Sequence, residues 1–135
     1  NIKNGKAYDK FLKLVQNQGG EIEYIQDLEK FERANYIIPV VSNKDGFVQE
    51  LNAEKIGVVS VNLGAGRIKK EDPIDKTVGI VVNKKIADRV KKGDILAYVH
   101  ANDEQKGNDA ANKIKDIYKI SENEIQKEKV ILGIV

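Results

Sequence analysis

The chain has 135 residues, 41% hydrophobic and 33% charged, and its 23 basic and 21 acidic side chains leave a net charge of +2. That length supports one domain with a real core, and the interspersed charge gives no reason to expect nucleic acid or an anionic membrane as partner. No apolar run nears the roughly 20 residues that span a bilayer, and the absence of cysteine excludes a disulfide scaffold or thiolate metal site and suits a reducing cytoplasm.

Taken in chain order, the first segment is helical. Ala7, Phe11, Leu14, Val15 and Gln18 share one stripe, and Gly19-Gly20 ends it. Asp27 to Arg33 is expected to form a second short helix with Leu28 and Phe31 inward. Around Tyr36 the period changes to that of a strand. Pro39 confines the run Tyr36–Val41 to an edge or a bulge, and a turn at Asn43–Gly46 leads to a strand from Phe47 to Leu51. Asn52 caps a helix with Ala53, Ile56, Val59 and Leu63 on its inner face and Gly64 as its stop. A charged loop, Arg67 to Lys76, precedes a buried strand over Thr77–Val82. Turn formers fill Asn83–Asp94, and Ile95–His100 is again a strand. Asn108 is expected to cap a last helix, and Val130–Val135 to close the chain as an apolar strand. Strands and helices without strict alternation argue for α+β.

With one histidine and no cysteine, an independent enzyme would have to work with carboxylates, lysines or hydroxyls. There is also no methionine, which leads us to expect a piece of a longer chain. Gly64-Ala65-Gly66 opens like a dinucleotide fingerprint, but Lys69 stands where the third glycine belongs and the segment follows a helix, not a strand. It reads as a helix stop and a tight turn. Asp72 and Asp75 are a candidate carboxylate pair for acid–base work or a divalent cation. Their lysine-rich surroundings favour ion pairs with Arg67, Lys69, Lys70 or Lys76, and Asp75 has the alternative of capping the backbone that enters the next strand. His100 sits at a strand end among small polar residues, where a hydrogen-bonded, partly exposed imidazole is the plain reading.

Three stretches together resemble one family. They are Asn4-Gly5-Lys6-Ala7 leading to Gln18-Gly19-Gly20; Leu63-Gly64-Ala65-Gly66-Arg67 with Lys70-Glu71-Asp72-Pro73-Ile74-Asp75 and Val78-Gly79-Ile80; and Asp88–Ala97 continuing to His100-Ala101-Asn102. Their order and spacing resemble the C-terminal part of the pyrimidine-nucleoside phosphorylases, the thymidine phosphorylase family. The resemblance implies a cytoplasmic, homodimeric pentosyl transferase that converts a pyrimidine nucleoside and phosphate to free base and pentose 1-phosphate. The catalytic residues and the potassium site of that family lie upstream, so no catalytic, cofactor or metal residue is carried onto this chain, and the fragment alone is expected to be inactive.

The fold implied is an α+β domain of barrel-sandwich hybrid or α/β-hammerhead type over 36–135, with 1–35 as a helical connector from the upstream part of the enzyme. The implied partners are the upstream helical and α/β parts of the same enzyme. Gly64, Gly66, Arg67, Asp72 and Asp75 are candidates for anchoring a loop near the interdomain cleft, with Arg67 holding that loop or facing an anion. The third stretch also resembles lipoyl and biotinyl carrier domains, with Lys84 or Lys85 as the attachment point. A free-standing carrier or binding module is therefore the alternative reading.

Overall fold

The computed structural model describes residues 1–127, and the strand expected at Val130–Val135 lies outside them. The chain divides into two units, Asn1–Arg33 and Ala34 onward. No helix among the described residues is long and apolar enough to cross a membrane.

The first unit is helical. Helix α1 (Lys6–Asn17) begins where Asn4 Oδ1 accepts the Lys6 N–H and ends where the Gly20 N–H turns back to the Val15 carbonyl, 2.9 Å away. Its amphipathic stripe is as expected, but no residue of α1 is buried. Helix α2 (Ile22–Gln26) was not foreseen. The helix expected over Asp27–Arg33 is only a 3-10 turn at Leu28–Lys30, started by Asp27 accepting the Glu29 N–H. Glu23 and Glu29 pair with Lys30 and Arg33, and the rings of Tyr24 and Phe31 tilt against each other at 5.2 Å.

In the second unit, strands β1 (Tyr36–Val41) and β2 (Gly46–Glu50) are followed by helix α3 (Ala53–Ser60), whose N-cap is Asn52. The last turn widens into a π turn at Val61–Ala65 and stops at Gly64, whose φ of 112° closes it at no steric cost to a residue without Cβ. Then come β3 (Gly79–Val82), the short β4 (Arg89–Val90), β5 (Ile95–Ala101), helix α4 (Glu104–Ile117) and β6 (Lys119–Ser121). Strands β4 and β6 were not foreseen. They are two and three residues long, too short for a period to register. Helix α4 starts earlier than expected, with Asp103 rather than Asn108 as its cap. Gly107, in its first turn, is a point of close approach: a Cβ there would stand 2.6 Å from Ile38 Cδ1 and 2.9 Å from Ala101 Cβ.

The strands form two antiparallel three-stranded sheets, β1-β5-β3 and β4-β2-β6. The fold is α+β, and this corrects the barrel-sandwich or hammerhead form expected for it. The consecutive strands β1 and β2 enter different sheets, no strand ladder joins the two sheets among the described residues, and β4 and β6 are too short to wrap a barrel. Pro39 adds to this. It places β1 at a sheet edge, with a bulge at Val40/Val41, and it removes one donor from the edge that closure would need. Helices α4 and α3 pack on the sheet β1-β5-β3, and the core, to which both sheets contribute, is built from Val40, Val48, Val59, Val90, Leu96, Val99, Ile114 and Tyr118.

Candidate functional site

The glycine-rich turn after α3 and the acidic loop that follows are held together by backbone and side-chain hydrogen bonds. The Asp75 N–H donates to the Gly64 carbonyl at 2.9 Å, which folds the charged loop back onto the helix stop. Gly66 is needed small, because a Cβ there would stand 2.8 Å from Val61 Cγ2. Asp72 Oδ2 accepts the N–H groups of Ile68 (3.1 Å) and Lys69 (2.8 Å), tying the tip of the loop to its own return limb.

Asp75 does more than close a turn. Its Oδ1 accepts the Thr77 N–H (2.9 Å) and the Thr77 hydroxyl (2.7 Å), and its Oδ2 accepts from Asn102 Nδ2 at 2.7 Å. The same amide nitrogen lies 2.8 Å from Thr77 Oγ1, and Asn102 Oδ1 accepts the Asn35 N–H at 2.8 Å. One half-buried carboxylate thereby joins the loop to the end of β5 and the entry to β1. Hydrogen bonds from the Thr77 hydroxyl and N–H, then from Asn102, hold its pKa below the ordinary carboxylate value.

A carboxylate stabilised in this way is a poor proton acceptor. Asp75 is therefore not poised as a base, and neither Asp72 nor Asp75 forms the ion pair expected with Arg67, Lys69, Lys70 or Lys76 among the described residues. Of the alternatives weighed from sequence, Asp75 takes the backbone-capping one. No group of three His, Cys, Asp or Glu side chains among the described residues could hold a metal ion. Arg67, Lys69 and Lys70 stand exposed around the loop tip. Electrostatic attraction of an anion or an acidic surface is the chemistry this arrangement offers.

His100 lies half-buried on β5, opposite Ile37 on one side and Gly79 on the other, two residues before Asn102 of the Asp75 cluster. Lys84 and Lys85 do not crown a hairpin. They lie in the connection from β3 to β4, which belong to different sheets. The Lys84 carbonyl lies 2.9 Å from the Tyr118 hydroxyl, its ammonium stands 3.9 Å from Asp94, and the Lys85 N–H is held by Asp88. A carrier lysine needs a projecting turn, and this one is stitched down.

Sequence reasoning missed Thr77, Asn102 and Asn35. The Asp75-x-Thr77 spacing is a readable signal for a side chain that accepts from the backbone two residues on. Asn102, 27 residues from Asp75, carries no such local signal.

A family model described as the pyrimidine nucleoside phosphorylase C-terminal domain matches residues 47–121. That span includes Gly64, Gly66, Arg67, Asp72, Asp75, Thr77 and Asn102. Proteins named pyrimidine-nucleoside phosphorylase from Staphylococcus aureus (strain USA300) and Staphylococcus epidermidis (strain ATCC 35984) are each 46% identical over 101 residues. The aligned region is 75% of this chain and 23% of each relative, so the chain spans about a quarter of the length of the curated relatives it matches.

Proposed function

The chain belongs to the pyrimidine nucleoside phosphorylase C-terminal domain family, and from that premise we propose that it is the C-terminal structural part of a phosphorylase that splits pyrimidine nucleosides with phosphate. The parent enzyme yields the free base and a pentose 1-phosphate, as a cytoplasmic homodimer with its catalytic residues and potassium site upstream of this chain. Residues 1–35 connect to that upstream part, and 36–135 form the C-terminal domain. Gly64, Gly66, Asp72 and Asp75 fix the loop that carries Arg67 beside the interdomain cleft. The domain helps to close the cleft against bulk water, which matters because phosphorolysis must outrun hydrolysis.

The observation that carries this reading is the fate of the Asp75 carboxylate. In a chain matched to about a quarter of each relative named as a phosphorylase, the most conspicuous acidic motif is spent on holding a loop, with four hydrogen bonds converging on Asp75 and its partner Thr77. That is what an architectural domain requires of it. The purified 135-residue chain is expected to release no uracil from uridine and no thymine from thymidine with saturating phosphate, while the full-length enzyme releases base in proportion to phosphate. Phosphate-dependent release by the chain alone would overturn the assignment of chemistry to the upstream part.

A further inference from the structure

The segment 66–78, between the π turn and β3, carries no helix or strand, and most of its hydrogen bonds are local. Asp72 caps Ile68 and Lys69, and Asp75 reaches back to Gly64 and forward to Thr77. Bonds of this kind fix the shape of a loop, but not where the loop stands against the core. Among the described residues, two hydrogen bonds of Arg67–Thr77 leave the segment 64–78, and both start from Asn102 Nδ2. One goes to Asp75 Oδ2 at 2.7 Å and the other to Thr77 Oγ1 at 2.8 Å.

Asn102 is itself held by rigid neighbours. It follows Ala101, the buried last residue of β5, and precedes Asp103, the N-cap of α4. Its backbone therefore lies between the central strand of a sheet and a helix packed on that sheet. Its Oδ1 accepts the Asn35 N–H at 2.8 Å, where the chain has just passed from the first unit into the second. The constellation calls for a side-chain amide, which offers one acceptor and two donors in a single plane. The Asp75 carboxylate needs a donor, and so does the Thr77 hydroxyl, whose own hydrogen goes to Asp75. The Asn35 N–H needs an acceptor. Asparagine meets all three demands, and an aspartate in its place would meet only the last.

We propose that Asn102 is the positioning residue of this loop: its amide ties the segment that carries Arg67, together with the entry to β1, to the frame of β5 and α4. The side chain is exposed, so its bonds add little to the stability of the unit as a whole. What they supply is location. The bearing on the reaction rests on the reading above, in which this loop stands beside the interdomain cleft. A loop displaced there lowers turnover without unfolding the domain, because catalysis depends on geometry held to within a fraction of an ångström.

Two substitutions separate the ends of the amide. Asn102→Ala removes every bond, whereas Asn102→Asp keeps the acceptor for Asn35, loses both donors and sets a second negative charge against Asp75. Amide exchange is read by NMR in the 135-residue chain. In Asn102→Ala the N–H groups of Asn35, Asp75 and Thr77 are expected to exchange at least about threefold faster than in the parent chain. In Asn102→Asp those of Asp75 and Thr77 accelerate and that of Asn35 does not, and β5 is unchanged in both. Unchanged exchange at Asp75 and Thr77 in both variants would overturn the proposal. So would an equal acceleration throughout β5, which would make Asn102 a residue of general stability. In the full-length enzyme Asn102→Asp is expected to lower kcat for phosphorolysis about tenfold, with KM and the urea midpoint near those of the parent. A loosened loop with the parent's kcat would overturn the role of Asn102 in the reaction. A parent full-length enzyme without phosphorolytic activity would defeat the functional reading instead, whatever the exchange shows.

Discussion

Helix α1 and helix α4 have comparable lengths and both carry an apolar stripe, yet they use it in opposite ways. In α4, Gly107, Ala110 and Ile114 are buried, and the helix packs on the sheet β1-β5-β3. In α1 nothing is buried, and Phe11 and Leu14 remain largely exposed. Amphipathic spacing states which face a helix offers, but the free energy comes only when that face is removed from water, about 25 cal/mol for each Å². The second unit therefore holds the stability of the described structure, while α1 rests on its own hydrogen bonds and end caps, which are marginal for a helix of 12 residues.

The sharpest way to break the comparison is to truncate each stripe in turn. Ile114 is fully buried, so Ile114→Ala is expected to destabilise the second unit by about 2–5 kcal/mol through lost burial and the cavity left behind. Urea unfolding followed by circular dichroism would measure it, and a loss under about 1 kcal/mol would mean the site collapses freely.

An intermediate effect comes from Tyr118, at the end of α4. Its hydroxyl lies 2.8 Å from the Leu96 carbonyl and 2.9 Å from the Lys84 carbonyl, and burial pushes its pKa up to about 12 from the ordinary 10.0. Folding favours the neutral phenol. The stabilisation is therefore complete below the unfolded value and is lost as pH rises from about 10 through about 12, to a total of about 3 kcal/mol. Tyr118→Phe is expected to flatten this alkaline decline. Leu96 O would still accept from the N–H groups of Asn83 and Lys84. An unchanged alkaline slope in the variant would assign the decline to other groups.

The smallest effect is expected from Leu14→Ala in α1. An exposed leucine exchanged for the best helix former changes stability by no more than about 0.5 kcal/mol. Amide exchange over Lys6–Asn17 should be fast and nearly the same in the variant and the parent chain. A loss as large as that of Ile114→Ala would show that the stripe of α1 is buried in solution, and the contrast between the helices would fall.

Much of the local structure was legible before any coordinates. Asn52 as a cap, Gly64 as a stop, and Pro39 as the mark of an edge and a bulge all follow from properties of single residues. Likewise the motif Leu63–Asp75 carried the resemblance, in which Gly64 is held by its positive φ and Gly66 by the lack of room for a Cβ beside Val61. The candidate site was legible only in part. Asp75 reads as a local cap through Thr77, but its second oxygen is committed to Asn102, and nothing near either residue announces the other.

What the sequence determined by itself is what depends on neighbours along the chain: the glycine end of α1, the cap and stop of α3, the turn before β2 and membership of the family. The tertiary structure alone decided which strands share a sheet. Two short strands, β4 and β6, gain their stability from pairing with β2 and have none of their own, and β1 and β2 part company although only a turn separates them. It also decided that Gly107 is a point of close contact, because that depends on how near Ile38 and Ala101 stand. Contacts between residues distant in sequence are set by the summed packing of the whole unit, and for that reason the sheet arrangement and the Asp75–Asn102 bond became visible only in the folded chain.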